Sequence, residues 1–464
     1  MYIKKNIFII LLAMFIIMPV FAQGDEGAGD TRVLPLEEFI VLTCEKDSVF
    51  REILLRELLL NYKKSLVLPA EDIILSVQGQ YDLDLGSSTG DPQASVSLSK
   101  LFANVGATVS AEYGTSYSSA TGTNNSELTF SVAVPIAQNA FGKVNRLQDK
   151  IAGIEVDVAR HQIAEAYEDY LAAAIKIYCS WYSAYENLRV GESSYRESLK
   201  LLQNIRDKQK DRIALQIDVD KVNLQVIAKQ ESLISLSNTY DKYTNMIRQA
   251  VRHEGGQSLV PVNPSMYDNT EISFSRDYRD FEKDSRTCKM LKLLEEKSSL
   301  EVTEDADALL PSADFTLGYT VEDGEDKVFA GLSFELPIPA QGERAQHETS
   351  KISAEQTKLT SISKHVQLHT DLNNLYDQIE KERKLIGIAD KKIALSESIA
   401  AAEAKNYSYA RATLNDLISA VNQLEENRFN RDYHSIQLKI LLVEWLRLTD
   451  RLIGEKDMKG KNLK

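Results

Sequence analysis

The chain has 464 residues, 43 % of them hydrophobic, and sets 68 Asp and Glu against 54 Lys and Arg, a formal net charge of −14. That balance speaks against nucleic-acid binding, which rests on Lys and Arg neutralising phosphates. Three cysteines (Cys44, Cys179, Cys288) are too few for a disulfide framework. They read as small buried residues on helices, with one Cys44–Cys288 bridge as the alternative.

In chain order, Lys4 and Lys5 precede an almost wholly apolar run from Ile7 to Phe21, and Ala22 supplies the small residue that a signal peptidase needs. A run of about 15 residues is short for a membrane-spanning helix, so residues 1–22 read as a cleaved secretory signal. No cysteine lies at the junction, which speaks against a lipidated N-terminus. Residues 23–35 are rich in Gly and Asp and read as a flexible leader. A helical pattern follows from Leu36 to about Ser65.

Beyond it, Ile73, Leu75, Val77, Tyr81 and Leu83 alternate with Ser76, Gln78, Gln80 and Asp82, the period of two that predicts a strand. The alternation recurs at Leu128, Phe130, Val132 and Val134, at Phe315, Leu317, Tyr319 and Val321, and from Val328 to Leu336. Two further β-like runs, 94–101 and 108–117, have no counterpart in the second half and read as an extra hairpin or a β-rich excursion. Alternation over about 10 residues fits a membrane-barrel strand, with lipid on one side and water on the other. A half-buried soluble sheet gives the same pattern. The signal segment, and the lack after residue 22 of any helix apolar enough to span, favour the barrel.

The helices between the strands are long. Tyr167, Leu171, Ala174, Tyr178, Trp181, Tyr185 and Leu188 step by four and three, and Val222, Val226, Leu233, Leu236, Tyr240, Tyr243 and Ile247 keep nearly the same beat. Such stripes specify coiled-coil packing against neighbouring helices. The helical stretch divides near Arg212 in the first half and near Tyr409 in the second.

The whole pattern is written twice, and internal repetition decides a fold before any local reading does. Leu68-Pro69-Ala70-Glu71-Asp72 and Leu310-Pro311-Ser312-Ala313-Asp314 open the strands of the two halves. Val134-Pro135-Ile136-Ala137-Gln138 and Leu336-Pro337-Ile338-Pro339 close them, each ahead of a glycine (Gly142, Gly342) and a long helix. The organisation expected is a signal at 1–22, a leader at 23–35, a first repeat at 36–249 with its β segment at 71–137, a linker at 250–280, a second repeat at 281–452 with a hairpin at 313–338, and a polar tail at 453–464. About four strands cannot close a barrel alone, and open edges are not tolerated in lipid, so three copies giving about twelve strands are the natural closure.

Strand, Pro-Ile turn, glycine and long helix pair, repeated behind a signal segment, resemble the TolC family of outer-membrane efflux proteins. The phrases that carry the likeness run from Phe130 to Gln138, from Ile151 to Glu155 and from Gly331 to Ile338, with Ile217-Asp218-Val219 and Leu414-Asn415-Asp416-Leu417 near the helix turns. No single motif is diagnostic; their order is. The resemblance implies an α+β membrane protein, a trimeric transmembrane β-barrel with about four strands per chain, continued by a long α-helical coiled-coil tunnel built from two repeats.

It also implies a homotrimer in the outer membrane, with its tunnel in the periplasm. The partners would be a periplasmic adaptor (membrane fusion) protein and an inner-membrane transporter or ABC exporter. Matched by position, Asp218 and Asp416 fall on acidic gate positions and Tyr407 on the tyrosine of the gate network. Three copies of an aspartate around a narrow pore would make a cation-attracting constriction; an aspartate near a helix start is otherwise an ordinary cap. Ser419 stands where a second acidic ring is expected. Arg212 and Ala410 replace the glycines typical of the helix turns, and with Arg411 they form the tips that would meet an adaptor.

Catalytic and cofactor signatures are missing. His365 and His369 stand four apart on a helical pattern, a spacing that can hold a metal, but Val-Gln-Leu lies between them in place of a catalytic glutamate. There is no GxSxG, phosphate loop or dinucleotide fingerprint. Glu295-Glu296 and Glu425-Glu426 read as solvent-facing pairs on charged helix faces. The expected function is a passive outer-membrane exit duct for an efflux or type I secretion system, without catalysis, cofactor or metal. The alternative is a periplasmic coiled-coil scaffold or adhesin without a pore.

Overall fold

The computed structural model describes residues 31–67, 72–84, 89–118, 121–252, 257–265, 270–322, 324–409 and 411–453. The expected signal, most of the leader, Ala410 and nearly all of the polar tail lie outside them. In chain order the elements are β1 (Thr31–Leu34), α1 (Leu36–Lys46), α2 (Ser48–Val67), β2 (Ile73–Asp84), β3 (Thr89–Phe102), β4 (Ala107–Ser118), β5 (Thr123–Pro135), α3 (Lys143–Lys210), α4 (Gln216–Ala250), β6 (Ser258–Pro261), α5 (Phe274–Asp284), α6 (Arg286–Asp307), β7 (Ser312–Glu322), β8 (Glu325–Glu335), α7 (Gln341–Ser408) and α8 (Leu414–Leu448). The repeat is exact in helix length for three pairs. α3 and α7 have 68 residues each, α4 and α8 have 35, and α1 and α5 have 11. Among the described residues no helix is long and apolar enough to cross a membrane.

The chain divides into two compact units. The sheet unit, 56–163 with 286–366, holds one six-stranded antiparallel sheet in the order β2-β3-β4-β5-β7-β8. The expectation of about four strands per chain is therefore corrected to six. The runs at 94–101 and 108–117 are the cores of β3 and β4, paired along their length from Gln93↔Ser116 to Phe102↔Ala107.

Register carries the alternation across all six strands. One row reads Val77, Val96, Tyr113, Leu128, Val321 and ends at Asp326, and the next reads Leu75, Leu98, Ala111, Phe130, Tyr319, Val328. The opposite face reads Ser76, Ser97, Glu112, Thr129, Thr320, Lys327. Because successive side chains point to opposite faces, the sheet has one largely apolar face, with Lys100 and Asp326 in its rows, and one polar face that carries Glu112, Glu127 and Glu322. The apolar side is open: Val77 is 74 % exposed, Val328 76 % and Leu332 68 %.

The root of this sheet is held by a buried carboxylate. Asp307, at the end of α6, accepts from the Asn139 backbone N–H at 2.6 Å and from Lys143 Nζ at 2.9 Å. Asn139 Oδ1 in turn accepts from the Val144 N–H at 2.9 Å, starting α3. Gly142 (φ 75°) and Gly106 (φ 66°) touch here. A Cβ on Gly142 would stand 2.5 Å from the Gly106 nitrogen, so only glycine fits.

The helical unit, 31–55 with 164–285 and 367–453, packs around the aromatic stripe of α3. Tyr178 and Trp181 are fully buried, and Trp181 Nε1 donates to Thr244 Oγ1 of α4 at 2.9 Å. The Tyr178 hydroxyl donates to the Leu34 carbonyl at 2.8 Å and accepts from the Val262 N–H at 2.9 Å. It thereby fastens β1 and β6, which pair in parallel from Thr31↔Ser258 to Leu34↔Pro261. Thr31–Leu34 is thus ordered sheet rather than leader, and the expected linker contains β6 and the start of α5. On α8, Trp445 Nε1 donates to buried Asp277 at 3.1 Å. All three cysteines are free, so the bridge considered between Cys44 and Cys288 is not formed.

Candidate gate at the helix turns

The two helix turns of the helical unit are built alike. After α3, the Ile213 N–H donates to the Lys208 carbonyl; after α7, the Arg411 N–H donates to the Asn406 carbonyl. Both bonds reach back five residues and satisfy helix-end carbonyls, the Schellman pattern. Arg212 occupies the left-handed position of its turn at φ 62°, where glycine would sit without strain. Ala410, its expected counterpart, lies outside the described residues. Arg411 is exposed, and its guanidinium lies 5.9 Å from the centre of the Tyr409 ring.

Asp218 and Asp416 occupy the same position, the third residue of α4 and of α8. Asp218 Oδ2 accepts from the Leu215 N–H at 3.2 Å. Asp416 Oδ2 accepts from the Thr413 N–H at 3.0 Å and from the Thr413 hydroxyl at 2.7 Å, while Thr413 Oγ1 accepts from the Asp416 N–H at 3.2 Å. Those donors hold the Asp416 carboxyl below the usual carboxylate range. Each aspartate thus closes a helix N-terminus. Asp416 is exposed and Asp218 half-buried; Ser419, one turn beyond Asp416, is exposed.

Tyr407 sits beside them. Its ring packs against the apolar cluster of Leu202, Ile205, Val219, Val222, Val226 and Leu414, which joins both turns. Lys208 Nζ lies 4.3 Å from its ring centre, a cation–π contact. Burial, and then the charge of Asp218, raise the Tyr407 pKa. The structure therefore brings Asp218, Tyr407 and Lys208 together at one end of the unit, with Asp416 at the start of the neighbouring helix.

One buried carboxylate is not legible in the local sequence. Glu425 is buried, where a solvent-facing pair with Glu426 was expected. It pairs with Lys229 of α4 and accepts from Ser194 Oγ of α3 at 2.8 Å, so one carboxylate joins three helices. Its partners lie about two hundred residues away in sequence, beyond the reach of local spacing rules. The histidine pair is not brought to a common task. His365 Nδ1 lies 3.9 Å from Cys288 Sγ, and the His369 ring packs edge-on against Tyr278 at 4.9 Å. Among the described residues no group of three or more His, Cys, Asp or Glu could hold a metal ion.

No protein-family model matches the chain, and no curated protein matches it. Solved structures do. A crystal structure of CusC, described as undergoing folding and transmembrane channel formation, aligns with TM-score 0.69 at 8 % identity over 89 % of this chain and 91 % of its own. The Neisseria gonorrhoeae MtrE outer membrane channel in its open state aligns with TM-score 0.68 at 12 % identity, over 94 % and 98 %. This is the fold of the outer-membrane channels. The Campylobacter jejuni CmeC outer membrane channel shares it, with TM-score 0.66 at 12 % identity over 92 % and 90 %. The likeness to the TolC family read from the sequence is thereby shown for the fold across nearly the whole chain.

Proposed function

We propose that the chain is an outer-membrane channel, the passive exit duct of a tripartite efflux or type I secretion system, with its helical tunnel in the periplasm. The observation that carries this reading is the sheet. A broad, exposed and largely apolar face backed by a polar face suits lipid outside and water inside, on a chain folded as outer-membrane channels are. The duct performs no chemistry; energy comes from an inner-membrane transporter or ABC exporter coupled through a periplasmic adaptor. Arg212 and Arg411, with Ala410 between Tyr409 and Arg411, are the tips an adaptor would meet.

A homotrimer is supported by apolar helix faces left open in the single chain. On α4, Ile217, Leu224, Ile227 and Ile234 are exposed, and on α7, Ile388, Leu395 and Ile399. Steps of seven, three and four are the seam of a coiled coil that a neighbouring copy completes. Asp218, Asp416 and Tyr407 form the gate in this reading. Six carboxylates around a closed tunnel end attract cations, and the Tyr407–Lys208 contact ties the two turns shut.

The test is planar-bilayer recording on detergent-purified protein with its oligomeric mass measured alongside. A trimer of low, stable conductance blocked by multivalent cations is expected. A protein soluble without detergent and silent in bilayers would replace the duct with a scaffold.

A further inference from the structure

The first half of the chain carries a hairpin that the second half lacks. β3 and β4 lie in the middle of the sheet, with β2 on one flank and β5 on the other. Their inner turn is built into the root of α3. Asn145 Nδ2 donates to the Ala103 carbonyl at 3.1 Å, the Arg146 guanidinium donates to the Asn104 carbonyl at 2.5 Å, and Gly106 meets Gly142 backbone to backbone. Apolar rows continue through β3 and β4 at Val77, Val96 and Tyr113 and at Leu75, Leu98 and Ala111, while Lys100 stands between Ile73 and Val109 in the row nearest the inner turn.

The two strands at the ends of the sheet, β2 and β8, each have one neighbour among the described residues. They have 12 and 11 residues. All five pairings are antiparallel, so β2 and β8 run in opposite directions. An even count of alternating strands lets β8 of one copy pair with β2 of the next, and ring closure then leaves no open edge in lipid. Resting on the trimeric duct proposed above, we infer that three copies close an 18-stranded barrel, six strands from each, and that the outlet is wider than a twelve-stranded ring would give.

The width follows from spacing. Strands about 4.8 Å apart and tilted about 40° each occupy about 6.3 Å of circumference. Eighteen give a backbone radius of about 18 Å, against about 12 Å for twelve, which roughly doubles the cross-section. The outlet then offers a broad acidic vestibule lined by Glu112, Glu127 and Glu322, which share the polar face of the sheet.

Cryo-electron microscopy of the full chain in lipid nanodiscs reads the count directly. Eighteen strands and a radius near 18 Å are expected. A second variant, full-length but lacking residues 88–121, should leave four strands per chain and exclude neutral polymers from the outlet that the parent admits. A trimer with twelve strands, or polymer exclusion unchanged by the deletion, overturns the inference and leaves the duct standing. A closed ring of two copies also overturns it. Protein that forms no membrane-inserted ring overturns both readings.

Discussion

Lys229→Met tests whether Glu425 is a buried charge held by one partner. In the native chain the side chains of Lys229 and Glu425 are 17 % and 10 % exposed, and among the described residues Ser194 supplies the other donor to this carboxylate. Removing one member of a fully buried pair costs about 3–5 kcal/mol, because the remaining charge is left uncompensated. The residual exposure and the Ser194 hydroxyl, which stays in place, bring the expectation down to about 2–3 kcal/mol. Glu425→Gln in the same chain removes the orphaned charge and keeps an oxygen for Ser194. The double variant should therefore return to within about 1 kcal/mol of the parent, a coupling of about 2 kcal/mol.

Global unfolding of a chain with two compact units is a poor readout for this effect, and native-state hydrogen exchange is a better one. The amides of 219–229 and 418–428 should exchange about 30- to 150-fold faster in Lys229→Met, the equivalent of that energy. They should recover in the double variant. If the single changes simply add, Glu425 is solvated and the three-helix junction described above contributes nothing.

Three other outcomes follow from the same geometry. Asp218→Asn with Asp416→Asn preserves an acceptor for both helix caps while deleting the charge; in bilayers it should weaken multivalent-cation block with the fold intact, and unchanged block would remove these residues from the gate. Tyr178→Phe strands the Leu34 carbonyl, in a residue 1 % exposed, and should cost about 1–3 kcal/mol locally; exchange at 31–34 and 258–262 that stays at the parent rate would count against the clamp. Burial first, and then Glu45 and Asp47, push the Cys44 thiol from 9.0 up to about 12, which favours the protonated form. At pH 8 its thiolate fraction, and so its alkylation by iodoacetamide, should be about a thousandfold below that of the unfolded chain; equal rates would refute the burial.

Much of this fold was legible because it is periodic. The strands at Ile73, Leu128, Phe315 and Val328, and the turns near Arg212 and Tyr409, all rest on spacings that a few residues define. β3 and β4 stayed undecided because Pro92, Lys100 and their small polar neighbours interrupt the alternation, which only pairing with flanking strands makes plain. β1 and β6 carry four residues each and pair across more than two hundred positions, so nothing local announces them. At the helix turns, Asp218 and Asp416 allow two readings from sequence, a pore constriction or an ordinary cap. Both aspartates are caps by their hydrogen bonds, the role that their place at the third residue of a helix makes legible.

The matched helix lengths bear on how such a chain can change. α3 and α7 reach their turns after the same 68 residues, and one apolar cluster, with Val219 from one turn and Leu414 from the other, binds those turns together. A heptad inserted into residues 164–210 alone would preserve every stripe on α3 and still pull its turn about 10 Å out of step with its twin. Length in the two arms is therefore a shared quantity, altered in both or in neither. The sheet obeys a looser arithmetic, since a whole hairpin added to one half leaves every strand running in its proper sense.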